Sequence, residues 1–488
     1  MDGEVSMWIS TRKTAWLLAA CILWVVPAWA QQARVYVSSQ AGDRLTPKPT
    51  LRFQTRRRGS AALMFTVDES ARYQRIDGFG ASFLESGSLT LNTLEPAAQE
   101  KVLKALFDPE TGAGFSAMKT VLAGTDEMPA GPWYTYDDTP GDIGMEHFSI
   151  RRDLGPAGLI TYIKRARQYG NFKLQAPMDF PPDWMLMEVG KQPDGRAALN
   201  VDTKYYDALA LYYLRYLQEY EKNGVFIDYL SLFNERYTKI TYPQIRDLLK
   251  EHVGPLFARN HVRTQIQFRE ASTRAEAGKE YPTVLDDPGA RKYVGSLAYH
   301  GYDFKNFEAI AELHRRYPNL PLWMTEICWV KLPVYEFSDG DYWGNQIVSD
   351  LEAGASAWIY WNMILNDHGG PWLVSVIHGD PDPNIQHPVV IINPATQEVT
   401  YTGLYYYLAH FSKFVRPGSV RIATRGSAEG IRCLAFKGAK GEVVAELLNS
   451  RKSDAPVTLG WHGREISLNL PAISISTITW NPQEKARD

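Results

Sequence analysis

Between residues 76 and 364 the chain alternates short apolar runs with longer amphipathic segments, and this rhythm limits the fold more than any other feature. The runs Ile76–Phe83, Ala117–Ala123, Phe172–Met178, Phe226–Phe233, Thr264–Phe268, Gly295–Tyr302, Leu320–Thr325 and Ala355–Met363 are short, β-branched or aromatic, and read as buried strands. The stretches Leu159–Tyr169, Tyr205–Lys222, Gln244–Ala258, Asn306–Tyr317 and Asn345–Ala353 repeat apolar residues at helical spacing. Gly170, Gly224 and Gly354 stand just past three of these helices, where a left-handed cap is wanted. Eight strand–helix repeats predict an α/β fold, a (β/α)8 TIM barrel, rather than a doubly wound sheet.

The flanks read differently. Residues 31–75 hold short strand candidates at 34–38, 51–54 and 63–67. From Val420 the β pattern returns at 420–423, 431–436, 443–448, 457–461, 466–468 and 473–480. The two ends are expected to pair into one accessory β-sandwich beside the barrel. The boundaries read as 1–30 for a signal peptide, 31–75 for the N-terminal sandwich strands, 76–400 for the barrel and 401–488 for the C-terminal sandwich.

Arg12-Lys13, an apolar run from Ala15 to Pro27 and the A-x-A site Ala28-Trp29-Ala30 have the order of a signal peptide, cleaved near Ala30. The protein is therefore expected to be secreted or periplasmic. Leu18-Ala19-Ala20-Cys21 also resembles a lipobox, which would make a lipoprotein through Cys21. No later run reaches ~18 uninterrupted apolar residues, so no stable membrane span is expected. Past residue 30 only Cys328 and Cys433 remain, which excludes a disulfide framework. Lys+Arg (52) nearly balance Asp+Glu (55), so nothing marks a nucleic-acid partner, and Arg56-Arg57-Arg58 reads as a solvated strand edge. The 14 Trp and 27 Tyr suit either sugar stacking or a large aromatic core.

A barrel keeps its active site at the C-terminal ends of its strands. The fourth ends in Asn234-Glu235-Arg236 and the seventh in Thr325-Glu326. Two carboxylates facing one cleft are the machinery of glycoside hydrolysis, one protonated and one ionised. Asn234 would hold the sugar 2-hydroxyl beside the acid. The same two glutamates would equally serve as helix-start residues stabilised by backbone N–H groups. His300 alone reads as a hydrogen-bonded core histidine. No dinucleotide fingerprint, Walker motif, G-x-S-x-G or zinc spacing is present, so neither cofactor nor metal is expected.

Three segments resemble glycoside hydrolase family 30, the glucosylceramidase-like β-glycosidases. They are Ile76-Asp77-Gly78-Phe79-Gly80-Ala81-Ser82, Tyr134-Thr135-Tyr136-Asp137-Asp138-Thr139-Pro140, and the run from Tyr405 to Arg416. The resemblance implies a retaining enzyme with Glu235 as acid/base and Glu326 as nucleophile. It further implies sugar contacts from Glu85, Lys119, Asp126, Asn234, His300, Tyr302, Trp361 and Asn366. The implied substrate is a β-linked glycan or glycolipid. Lys119 stands where glucosylceramidases have Arg, and Asn-Glu-Arg replaces Asn-Glu-Pro; both features are similar to galactosylceramidases. The third strand ends Pro177-Met178-Asp179, without the family's sugar-stacking Trp. A non-catalytic carbohydrate-binding protein on the same scaffold is the alternative. Schiff-base chemistry at Lys119 is a third reading.

Overall fold

The computed structural model describes residues 31–55, 63–125, 133–188, 197–329, 336–371 and 385–482, with Met1 and Gly3. The expected signal peptide, the Arg56–Arg58 triplet, Asp126 and Trp372 lie outside the described residues.

The eight apolar runs form the staves of a parallel barrel: Gly78–Ser82, Ala117–Lys119, Lys173–Pro177, Tyr229–Ser231, Gln265–Gln267 with Glu270–Ala271, Leu297–His300, Leu322–Glu326 and Ala355–Asn362. Every neighbouring pair is parallel. The fifth stave comes in two pieces because the chain leaves the ladder at Phe268-Arg269. Bridges from Ile266 to Val294 and from Asn234 to Glu270 close the barrel across the gap. Gly80 is needed where the first two staves meet, since a Cβ there would lie 2.1 Å from the Ala117 carbonyl oxygen.

Helices cover the outside because each offers one apolar face. Thr203–Lys222 packs Tyr212, Tyr213, Tyr216 and Tyr220 inward. Tyr242–Leu248 starts at a reciprocal Thr241–Gln244 capping box and runs through a π turn, Leu249–Val253, into Gly254–Arg259. Ser338–Glu352 follows the seventh strand. The eighth helix, Gly403–Phe414, corrects the expected barrel limit at residue 400. Phe411 packs on Phe79 of the first strand at 5.7 Å, and Ser412 Oγ donates to the Ala113 carbonyl at 2.7 Å. The barrel therefore extends to Phe414, and the Tyr405–Tyr407 aromatics belong to its wall.

The second layer is one ten-stranded sheet, as the pairing of the two chain ends requires. Its order is Thr46–Arg52, Gln32–Ser39, Ser474–Trp480, Val443–Asn449, Ile431–Lys437, Val420–Arg425, Leu63–Arg75, Ala455–Trp461, Arg464–Leu470 and Gln54–Thr55. It closes over its own core, where Phe53, Trp461 and Trp480 meet with ring centroids 5.3–5.7 Å apart. Cys433 is a buried, free residue of this sheet. A small third sheet, Ile364–Asn366, Val390–Ile392 and Val399–Tyr401, was not foreseen; it braces the connection after the eighth strand.

Barrel and sandwich meet over a buried polar chain. His410 receives Ser38 Oγ at Nε2 (2.9 Å) and meets Thr477 Oγ1 through Nδ1 (2.6 Å); Thr477 then donates to Glu446 Oε2 at 2.6 Å. All four side chains are buried. Burial pushes His410 down to about 3 and Glu446 well above the carboxylate range, so both are held neutral. A carboxyl raised by folding gives stability that is complete below its unfolded value and lost as pH rises. Glu446→Gln, which keeps the acceptor for Thr477, is therefore expected to melt higher than the unmutated protein at pH 8 and to differ little at pH 4.5. Thermal melts at the two pH values check this.

Candidate active site

The barrel brings five ionisable side chains from five staves to its C-terminal mouth. Glu235 follows the fourth strand, Glu270 sits in the fifth, His300 ends the sixth, Glu326 ends the seventh and Lys119 ends the second. Glu235 has the left-handed φ of 41°, a costly backbone for a non-glycine residue. Its N–H donates to the Glu270 carbonyl at 2.9 Å, and its own carbonyl accepts from the Arg269 guanidinium. These contacts hold the turn that aims the side chain inward.

One oxygen of Glu235, one nitrogen of His300 and one oxygen of Glu326 all lie within 4.8 Å of one another. His300 Nδ1 meets Glu235 Oε1 at 2.7 Å, and its Nε2 meets Glu270 Oε2 at 2.9 Å and Glu326 Oε2 at 3.6 Å. Lys119 Nζ lies between Glu326 Oε2 (2.7 Å) and Glu270 Oε2 (2.9 Å). Tyr302 donates to the other Glu326 oxygen at 2.8 Å. Glu235 keeps 20% of its side chain exposed and Glu326 7%, so both carboxylates face the open cleft, while Lys119, His300 and Glu270 are sealed at 0%.

Burial alone would discharge Lys119 and His300. The carboxylates reverse that: Lys119 is held above its ordinary value by Glu270 and Glu326, against its burial. His300 is raised to about 9 by Glu326 and by its bonds to Glu235 and Glu270, against burial and the Lys119 charge. Burial pushes Glu270 up, but Lys119 and His300 outweigh it and leave the carboxyl below the usual range. A Schiff-base lysine needs a depressed value; Lys119 moves the other way. Glu235, His300 and Glu326 come close enough to surround an ion, but His300 has both nitrogens on carboxylates and Lys119 already covers Glu326. The donor set is an acid–base cluster.

The other expected contacts are more dispersed. Asn234 is buried beside Glu235, and its Oδ1 has no hydrogen-bond partner among the described residues. Trp361 is only 3% exposed; Lys119 Nζ lies 5.1 Å from its ring centre, so it walls the cluster. The Glu85 carboxylate is gripped by Arg152 at 2.9 and 3.0 Å. The Asn366 side-chain oxygen accepts the N–H groups of His368 and Gly370, both at 3.0 Å, holding its own loop. Arg236 points away from the cluster, exposed and paired with Glu276 at 3.2 Å. In place of a tryptophan after the third strand, Phe180 packs between Trp133 (5.7 Å) and Tyr237 (5.1 Å).

Sequence reading missed Glu270, Gln175 and Thr325. Gln175 donates to Glu270 Oε1 at 2.5 Å, and Thr325 to Oε2 at 2.6 Å. The strand-end carboxylate that singled out Glu235 also marks Glu270, but the fifth strand was ended at Phe268, two residues short.

The linkage is testable. His300 binds its proton more tightly folded than unfolded, so its contribution is complete below about pH 6.5 and lost as pH rises through about 9. The gap in melting temperature between the unmutated protein and His300→Gln is expected to shrink across that window. The loss is on the order of 3 kcal/mol at most. Differential scanning fluorimetry from pH 6 to 10 measures it.

Residues 76–415 match the glycosyl hydrolase family 30 TIM-barrel domain, and residues 418–478 match the family 30 beta sandwich domain. The chain is 25% identical over 480 residues to the lysosomal acid glucosylceramidase of Mus musculus, covering 92% of this chain and 89% of that one. It is 28% identical over 436 residues to an endo-1,6-beta-D-glucanase of Neurospora crassa, covering 85% and 87%. The solved structure of an endo-beta1,6-glucanase shares the fold, with a TM-score of 0.81 at 22% identity over 93% of this chain and 100% of that one.

Proposed function

The chain belongs to glycosyl hydrolase family 30, and on that premise we propose that it is an exported retaining β-glycosidase that cleaves β-glucosides by double displacement. One observation carries the reading: oxygens of Glu235 and Glu326 lie within 4.8 Å of each other across one cleft. Double displacement asks for carboxyl groups about 5–5.5 Å apart, whereas inversion needs roughly 6.5–9.5 Å to seat a water between carboxylate and sugar.

Glu326 is the nucleophile. It is the less exposed of the pair, and Lys119 and Tyr302 fix one oxygen each. Glu235 stands on the leaving-group side, more open to the cleft, with His300 setting its rotamer. It protonates the departing oxygen as Glu326 bonds to the anomeric carbon. It then takes a proton from the water that releases the sugar. Asn234, buried beside Glu235, is the amide assigned to the sugar 2-hydroxyl. No helix among the described residues is long and apolar enough to cross a membrane.

The relatives are named for a glucosylceramide and for β-1,6-linked glucan, and both present a β-glucosyl unit to the cleft. Lys119 and Asn234-Glu235-Arg236 favour β-galactosides as a second reading. That reading is weakened because Lys119 is sealed beneath Glu326 and Arg236 turns away. A purely sugar-binding role would have no use for a carboxylate pair held at attack distance.

Turnover is expected on p-nitrophenyl β-glucoside, with β-glucose as the first anomer seen by NMR. Glu326→Gln is expected to abolish it. Glu235→Gln should cost about 10²–10⁴-fold on phenyl glycosides but much less on dinitrophenyl ones, which leave without a proton. First appearance of the α anomer, or faster turnover of β-galactoside, would overturn the corresponding part. Glucosylceramide and β-1,6-glucan assayed side by side identify the leaving group.

A further inference from the structure

We propose that Glu270 is a positioning residue for this reaction: one buried counter-ion through which Lys119 holds Glu326 and His300 holds Glu235. The inference rests on the roles proposed above for those two glutamates.

Glu270 cannot touch a sugar. It is fully buried, and its oxygens are taken inside the protein: Oε1 by Gln175, Oε2 by Lys119, His300 and Thr325. These donors come from the third, second, sixth and seventh strands, so one carboxylate ties opposite walls of the barrel mouth. Each of the two cations it holds also touches one reacting carboxylate, Lys119 at Glu326 and His300 at Glu235. The result is a continuous chain, Glu326–Lys119–Glu270–His300–Glu235, in which carboxyl groups and cationic side chains alternate.

The alternation has a chemical consequence. Glu235 must carry a proton when the leaving group departs. It faces the His300 ring at its carboxyl, Glu326 across the cleft and the Arg269 guanidinium at its main-chain carbonyl. Glu270 faces Lys119 and His300, and its charge draws both cations back from the reacting pair. Take that charge away, and His300 and Lys119 are left with only Glu235 and Glu326 to neutralise them. The imidazolium then favours ionised Glu235, which can no longer give a proton, and Lys119 closes more tightly on Glu326. The proton-donating step suffers most.

Glu270→Gln keeps the shape and removes the charge. Circular dichroism first confirms the fold. The kcat and kcat/KM are then followed against pH with phenyl and 2,4-dinitrophenyl β-glucoside. The expected loss is at least about tenfold greater on the phenyl substrate. The basic limb of the kcat/KM profile is expected to move down by about one pH unit. Glu270→Asp keeps the charge but sets it one methylene farther from both cations. It should move both readouts the same way by a smaller amount, and it carries the test if Glu270→Gln does not fold. Equal losses on the two substrates with an unmoved limb would overturn the proposal and leave Glu270 a structural residue. A separate failure is distinguishable: if the unmutated protein hydrolyses neither substrate, the assigned roles of Glu235 and Glu326 fall, and this proposal with them.

Discussion

Charged groups a few ångströms apart in a dry protein interior interact strongly enough that none can be left unpaired. The mouth of this barrel holds three carboxylates and two cations under that rule. Lys119 sits between Glu326 and Glu270, and His300 between Glu270 and Glu235, so the buried Glu270 shares a cation with each of the other two. Because every member comes from a different stave, the arrangement exists only when the barrel is closed. The break at Phe268-Arg269 in the fifth strand matters here. It sends Arg269 outward to the Glu235 carbonyl and leaves Glu270 pointing at the axis.

Burial does not by itself decide whether a histidine is charged, and this chain shows both outcomes. His410, between barrel and sandwich, is as sealed as His300, yet its neighbours are hydroxyl groups. Desolvation wins there, and the ring is pushed down to about 3. His300 touches carboxylates on both nitrogens, and the ring is raised to about 9. Glu446 and Glu270 repeat the contrast: one meets a single threonine and is kept protonated, the other meets two cations and stays ionised. The domain interface is thus built from neutral polar groups, and the catalytic mouth from charge.

The barrel was legible because its signal is periodic and repeated: all eight apolar runs became staves. The sandwich was legible for the same reason at both chain ends. What failed were features set by tertiary context. Gly403–Phe414 is rich in aromatics and lies next to sandwich strands, so only its packing on Phe79 shows that it is the eighth barrel helix. The three-stranded brace around Ile364–Asn366 is too short to carry a pattern of its own. At the site, Glu235 and Glu326 could be read because each ends a clean apolar run. Glu270 could not, because its strand is interrupted just before it. Gln175 and Thr325 look like ordinary strand residues until the walls are brought together.

The departures from the glucosylceramidase pattern gain meaning in the same frame. An arginine at position 119 would offer a planar fork suited to gripping one carboxylate with two parallel bonds. A lysine is a compact charge, and here it divides itself between two carboxylates at 2.7 and 2.9 Å. Glu270, reaching to the axis, gives that ammonium its second partner. Neither Lys119 nor Glu270 is exposed, so a change at either alters how the Glu326 and Glu235 carboxyl groups are held. After Pro177 the buried Phe180 ring packs between Trp133 and Tyr237, which come from two other loops. Specificity in such a barrel can then change through its loops, while the buried Lys119, Glu270 and His300 beneath them stay fixed.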